Sequence, residues 1–336
     1  MFHERKSYYY QLEELRGSKL LVYVTGDKPG MEARMHPEVL DKFVRHLDSF
    51  NSPKKITMFL HSRGGDTSAG WSIANLIRAY CEDFEVVIPM RAHSAATLLS
   101  LGANRIVMTK QATLGPIDQT VTTPLNPLIP NAGPNAWYGV SVEAIKGFVR
   151  LAKEEFTVKE SHDMAQVLSV LSGHVHPLVL GEVFRARDHI RMLAKNLLER
   201  QLKGAKRRQI ERIVQFLCSD SGSHSYTIDR TEARSRLGLN IVDPDQTLYT
   251  VISKMYDDIA QELTLGEQFN PPAIVGAEPA AAYSYRRALI ESLTGGTDVF
   301  VSEGTISKNS QMTPVGVVIP IFQDTRTFEG WRRERA

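Results

Sequence analysis

The sequence predicts an α/β fold built on a largely parallel sheet, on three observations. Short apolar strands alternate with helix-length stretches from residue 20 to residue 108, and strands separated in this way need right-handed crossovers and therefore run parallel. Apolar residues make up 42% and charged residues 23% of the 336-residue chain. That composition can fill a substantial core and excludes a disordered or collagen-like protein. The longest apolar runs, such as residues 316–322, fall far short of the ~20 residues of a membrane helix.

Taken in order, residues 20–24 read as a strand, 37–49 as a helix and 55–60 as a second strand. Residues 68–80 have helical spacing, with Ile73, Leu76 and Ile77 on one face. A third strand is expected at 84–90, a short apolar helix at 95–102 and a fourth strand at 105–108. Pro124, Pro127, Pro130 and Pro134, with Asn126, Asn131 and Gly133, mark a long loop, and loops of that length are usually functional or mobile. Helices are expected at 141–156, 161–171, 177–203 and 207–217, with Pro177 suited to a first turn. Residues 231–237 should form a helix ending on Gly238, and 246–263 the last long helix. Beyond Phe269, residues 298–302 and 315–322 read as strands of a small extension whose short strands carry Tyr283, Tyr285, Phe300 and Phe322. No repeat of solenoid period is present.

Forty basic against 38 acidic residues leave a net charge of +2, which makes no electrostatic case for nucleic acid as a partner. The runs Lys206-Arg207-Arg208 and Arg332-Arg333-Glu334-Arg335 read as solvated faces. Cys81 and Cys218 are the only cysteines, too few for a disulfide framework and in keeping with a reducing compartment. The first ten residues are polar and aromatic, without the apolar core of a signal peptide. The expectation is a soluble, cytoplasmic protein with no membrane partner.

Several common chemistries lack their motifs: there is no phosphate loop, no dinucleotide glycine fingerprint, no G-x-S-x-G and no H-E-x-x-H. The close pair His174 and His176 precedes Pro177 without surrounding cysteines or carboxylates, which favours helix capping over metal binding. Neither a metal nor a cofactor is expected. Four segments carry more. Leu60-His-Ser-Arg-Gly-Gly-Asp66 joins a strand to a helix with paired glycines, which allow a sharp turn and close backbone approach. Met90-Arg-Ala-His-Ser-Ala-Ala-Thr97 places Ser94 where an apolar helix opens, either as a plain N-cap or as a hydroxyl at the positive helix end. Thr113-Leu-Gly-Pro-Ile-Asp118 closes the next strand with a carboxylate. Ser223-His-Ser-Tyr-Thr-Ile-Asp229 is followed by the amphipathic run Glu232-Ala-Arg-Ser-Arg-Leu-Gly-Leu239.

These four segments, in this order, resemble the serine dehydrogenase proteinases, relatives of the Clp protease proteolytic subunit and of signal peptide peptidase A. The resemblance runs from about Leu20 to Val242. It implies a Clp/crotonase-type ββα spiral with helical additions and a small β-rich C-terminal extension. On this reading residues 1–245 form the peptidase domain, with a helical insertion at about 141–217, and residues 246–336 form the extension.

The resemblance also implies a triad of Ser94, Asp118 and His224, with the backbone N–H groups of Gly65 and Ala95 as the oxyanion hole. The residue types suit the task. A serine hydroxyl needs a base to take its proton, histidine titrates near working pH, and a carboxylate fixes the imidazole. His61, His93 and His176 compete with His224 as the base. Where the family has proline before the glycine pair, this sequence has Arg63, a side chain that could recruit an acidic group or point to solvent. Ala95 and Ala96 stand where glycine is common, and Thr227 replaces the proline after the tyrosine. The activity expected is cleavage of peptide or protein substrates through an acyl-enzyme on Ser94. The alternatives are a silent Clp-fold scaffold, or a crotonase-type acyl-CoA enzyme, which polarises a carbonyl without a serine nucleophile. The resemblance implies a homo-oligomer. Leu125, Leu128 and Ile129 in the proline-rich loop, and the aromatic extension, give separate reasons to expect one.

Overall fold

The computed structural model describes residues 1–336 except 118–119, 131–135, 159, 221–222, 224, 313–316 and 335–336. The first helix, α1 (Phe2–Arg16), is followed by β1 (Lys19–Thr25), α2 (Leu40–Asp48), β2 (Lys55–His61) and α3 (Thr67–Tyr80). Next come β3 (Asp83–Ile88), β4 (Arg91–Ala92), α4 (Ala95–Leu101), β5 (Arg105–Met108) and β6 (Thr113–Leu114). The middle of the chain carries β7 (Thr120–Val121), β8 (Val140–Ser141), α5 (Val142–Arg150), α6 (Ser161–His174), α7 (Pro177–Gln201), α8 (Arg207–Gln215) and β9 (Ile228–Asp229). The last third holds α9 (Arg230–Ser235), β10 (Ile241–Val242), α10 (Gln246–Glu262) and α11 (Pro271–Val275). Three long strands close the chain: β11 (Ala280–Ser292), β12 (Gly296–Met312) and β13 (Val318–Glu334).

The main sheet has the order β10-β5-β3-β2-β1-β11-β12-β13. Its first five strands are parallel, with Val22 beside Phe59, Met58 beside Val86 and Val86 beside Ile106. Both faces are covered, as a parallel sheet requires. Leu20, Val22, Val24 and Phe59 pack with residues of α1 and α10 in one cluster. From the other face Tyr23 meets Phe43 of α2 edge-on, with ring centroids 5.2 Å apart.

A second, shorter layer runs past the ends of these strands. Met35 bridges Gly65, Ser62 bridges Ala92, and Arg91-Ala92 pairs parallel with Thr113-Leu114. Strands β2, β3 and β5 each thus continue into a short second-layer segment before the next element, which is the expected ββα spiral, an α/β architecture.

The C-terminal extension departs from expectation. Its strands are 13, 17 and 17 residues long, and β11 pairs antiparallel with β1, so the extension continues the main sheet. The chain accordingly divides into residues 1–114 with 229–336, and residues 115–228. Neither division falls at 245/246, because α10 packs on α1 and β11 on β1 within the first unit. The anchor is ionic. Arg5, fully buried, donates to Glu291 of β11 at 2.7 and 3.0 Å and to Glu262 of α10 at 2.6 Å. Tyr9 and Asp258 complete its shell.

The second unit is mostly helical. Val140, Val142 and Ile145 pack with Val179 and Val183 of α7, whereas α6 buries no side chain. Among the described residues no single helix is long and apolar enough to cross a membrane; α6 and α7 pass that test only together, across a 99° bend.

Candidate active site

Ser94 lies between β4 and α4, half-buried, at the N-cap position of the helix. Its carbonyl accepts from Leu98 N–H at 3.0 Å, as an N-cap should. Its hydroxyl makes no capping hydrogen bond, so the plain N-cap reading fails. The backbone is also at φ 54°, ψ −120°. A non-glycine residue there costs about 1–3 kcal/mol, and such strain collects at functional sites. A strained strand-to-helix turn is how α/β-hydrolases expose a nucleophilic serine, and here it occurs without the G-x-S-x-G sequence.

The glycine pair packs directly on this turn. Gly64 has φ 96° and Gly65 φ 150°, conformations that favour glycine. A Cβ on Gly64 would lie 2.5 Å from the His93 carbonyl oxygen and 2.8 Å from Ser94 Cβ. On Gly65 it would lie 2.3 Å from the Met35 carbonyl oxygen. Met35 N–H donates to Gly64 O at 2.9 Å, and Asp66 N–H to Met35 O at 2.8 Å, which pins Gly65 from both sides. Ser62 Oγ accepts from Gly64 N–H and from Thr25 Oγ1. Among the described residues the N–H groups of Gly65 and Ala95 have no acceptor. Unclaimed donors flanking a strained serine are what an oxyanion hole requires.

Asp66 caps α3 by accepting from Ser68 and Ala69 N–H. Burial alone would raise its pKa, but the hydrogen bond from the Ser68 hydroxyl, with these two backbone bonds, holds the carboxyl below its usual range. Gly70 of α3 packs on the start of α4, where a Cβ would lie 2.5 Å from Ala95 O.

The histidines sort by position. His61 ends β2 fully buried, its ring 5.2 Å from that of Tyr256 and its Nε2 4.0 Å from Asp27 Oδ2. Neither ring nitrogen has a hydrogen-bond partner among the described residues. Burial pushes its pKa down to about 3; Asp27 opposes the shift, and Arg91, His93 and Arg63 add to it. His93 Nε2 lies 2.9 Å from Thr113 Oγ1. His176 Nδ1 accepts from Leu178 N–H at the start of α7, the capping use expected of it. Asp118 and His224 lie outside the described residues. The motif after His224 forms the expected helix but a shorter one: Asp229 caps α9, which ends at Ser235 with Arg236 as its C-cap, and Gly238 (φ 70°) follows two residues later in a turn where its N–H donates to Arg234 O.

Sequence reasoning missed Asp27, Arg91 and Tyr256. Asp27, 5% exposed, pairs with Arg91 Nη1 at 2.9 Å and Arg63 Nε at 3.5 Å. Arg63 fills both of the roles open to it: its Nε faces the Asp27 carboxylate while its side chain stays 58% exposed. The available signal was position alone, since Asp27, His61 and Arg91 sit at or just beyond the carboxyl ends of parallel strands, where sites of such sheets lie.

Residues 35–131 match the family model described as ClpP-like SDH-type serine proteinase. This segment spans the glycine pair, Ser94 and the second-layer strands. Over 226 residues, 67% of each chain, the protein is 23% identical to an uncharacterized protein, MJ0137, of Methanocaldococcus jannaschii. Among solved structures it is similar to a serine mutant of the membrane-bound stomatin-specific protease 1510-N, with 15% identity and a TM-score of 0.39, over 68% of this chain and 82% of that one. It is also similar to ClpP1 of Listeria monocytogenes, with 18% identity and a TM-score of 0.37, over 71% and 98%.

Two predictions follow from this geometry. Replacing Ser94 with glycine relieves the positive φ, so Ser94→Gly should be about 1 kcal/mol more stable to urea than Ser94→Ala; equal midpoints would mean that the turn is unstrained. His61 stays neutral when folded down to about pH 3, whereas the unfolded chain binds its proton below about 6.5. Stability should therefore fall as pH drops through that window, by up to about 1.4 kcal/mol per pH unit. His61→Phe should flatten this slope between pH 6 and 4, and parallel slopes for both proteins would count against a neutral buried His61.

Proposed function

We propose that the protein is a serine endopeptidase acting through an acyl-enzyme on Ser94, with Asp118 and His224 completing the triad. The observation that carries this reading is the strained Ser94 turn, with Gly64 packed against it and the Gly65 and Ala95 N–H groups unclaimed. In this mechanism His224 takes the Ser94 proton as Oγ attacks the peptide carbonyl. Gly65 and Ala95 N–H hold the oxyanion, and the imidazolium gives its proton to the leaving amine. Water activated by the same histidine then releases the acid. Asp118 orients the ring and stabilises its charge.

A fluorophosphonate should label Ser94 in the intact protein, which the crotonase and scaffold alternatives do not provide for. Ser94→Ala should abolish labelling and turnover. Asp118→Asn and His224→Gln should each lower kcat by roughly 10³-fold or more, because triad members act as a unit. His176→Gln should change turnover only a few-fold. A large loss in His176→Gln with none in His224→Gln would assign the base elsewhere.

Assembly into a homo-oligomer belongs to the same proposal. Leu125 and Leu128 in the proline-rich loop are 48% and 60% exposed, and the edge strand β13 presents Val318, Ile319 and Ile321 to solvent. Apolar loop tips and a long unpaired edge are surfaces that proteins ordinarily cover. Light scattering over a dilution series should give a particle larger than one chain, with activity falling as it dissociates. A fully active monomer at nanomolar concentration would exclude this dependence.

A further inference from the structure

We propose that Arg63 and Arg91 form a carboxylate-binding subsite beside Ser94, so that substrates are selected by an acidic group. The inference rests on the peptidase reading of Ser94 and names a substrate class for it. The two arginines lie on the segments that carry the proposed oxyanion hole and nucleophile. Arg63 immediately precedes Gly64, and Arg91 is three residues before Ser94. The bridge between Ser62 and Ala92, with Ser62 N–H donating to Arg91 O and His93 N–H to Ser62 O, sets these segments side by side.

Charge and donor counts both leave the pair unsatisfied. Both guanidinium groups lean on one oxygen, Asp27 Oδ2: Arg91 through Nη1 at 2.9 Å and Arg63 through Nε at 3.5 Å. His61 also faces that oxygen, but its burial beside two cations keeps it neutral. Two positive charges thus share one negative charge. Each guanidinium carries five N–H donors. Among the described residues, Arg63 Nη1 and Nη2 and Arg91 Nε and Nη2 meet no acceptor. The Arg63 side chain is 58% exposed and that of Arg91 29% exposed, so the free forks are open to a ligand while their inner edges are held.

The holder is itself fixed. Asp27 is 5% exposed and follows Gly26, whose N–H donates to Arg287 O at 2.6 Å. A pre-positioned guanidinium fork with spare donors suits bidentate capture of a carboxylate. That carboxylate could be an Asp or Glu side chain or the C-terminus of a peptide.

The test measures binding without turnover. Fluorescein-labelled decapeptides with amidated C-termini, carrying one Glu walked through each position, are titrated against Ser94→Ala protein beside the matched Gln peptides. A further pair compares a free with an amidated C-terminus. One Glu position, or the free C-terminus, should bind about tenfold tighter than its neutral match at low salt, and less so at high salt. Adding Arg63→Gln should bring that ratio to within twofold, Arg63→Lys should keep part of it, and Arg91→Gln should weaken it. Arg63 is exposed enough for its variants to fold, so they decide the matter even if Arg91→Gln does not fold. A flat Glu walk with no gain from a free C-terminus overturns the proposal, as does a preference that survives Arg63→Gln in folded protein. A protein that binds Glu peptides but is never labelled at Ser94 refutes the peptidase reading and leaves the subsite. One that is labelled and cleaves peptides with a flat Glu walk does the reverse.

Discussion

Much of the site depends on a backbone contact that tolerates no side chain. Gly64 lies so close to the His93–Ala95 segment that any Cβ would overlap the His93 carbonyl oxygen and crowd Ser94. The approach is possible because Ser62 bridges Ala92, which draws the chain leaving β2 alongside the chain leaving β3. It also constrains the conformations of its neighbours. Gly65 is turned to φ 150° between two hydrogen bonds to Met35, and Ser94 is held at φ 54° with its hydroxyl making no capping hydrogen bond. The price of that geometry is local strain, and an extensively buried sheet beneath is what allows it to persist.

A different kind of constraint fastens the C-terminal strands to this sheet. Arg5 of α1 is fully buried against Glu291 of β11 and Glu262 of α10, and His46 of α2 meets Ser292 and Asp298 at 2.7 and 3.2 Å. Buried charges of this sort add little net stability compared with apolar packing, but removing one partner strands the other. Their effect is one of register. Antiparallel strands as long as β11 and β12 can slip by two residues at little cost to their alternation, and a misplaced Glu291 would leave Arg5 without a counter-charge.

The parts of the fold that could be read from the sequence were those where apolar spacing alone determines an element. Residues 105–108 form β5 with the expected bounds, and 55–60 and 68–80 correspond to β2 and α3 within a residue. Helix α1 escaped because its buried face, Phe2, Arg5, Tyr9 and Leu12, has helical spacing but includes an arginine that periodicity counts as exposed. Tyr283 and Tyr285 read as lying on a short strand; the full length of β11 escaped because Ala280 to Ser292 mixes Ala, Arg, Leu and Glu, which have helical propensity, and long-range pairing with β1 overrides it. At the site, Gly65, Ser94 and Ala95 were legible as a motif. Asp27 was not, because its role depends on two arginines, 36 and 64 residues further along the chain, converging on it.

Arg63 connects these two levels. In sequence it is a departure, an arginine where the resembling family has proline. Proline would fix φ and supply no charge; an arginine at this place needs a partner or open solvent, and the structure supplies both. Its Nε faces the buried Asp27 carboxylate, while its side chain remains more than half exposed. Asp27 in turn pairs with no other arginine or lysine except Arg91 among the described residues, and one oxygen, Oδ1, has no hydrogen-bond partner there. Replacing Arg63 with proline would therefore leave a buried carboxylate with a single counter-ion as well as removing a surface charge. The departure is compensated within the site itself, which makes residue 63 part of the site's charge balance in this chain.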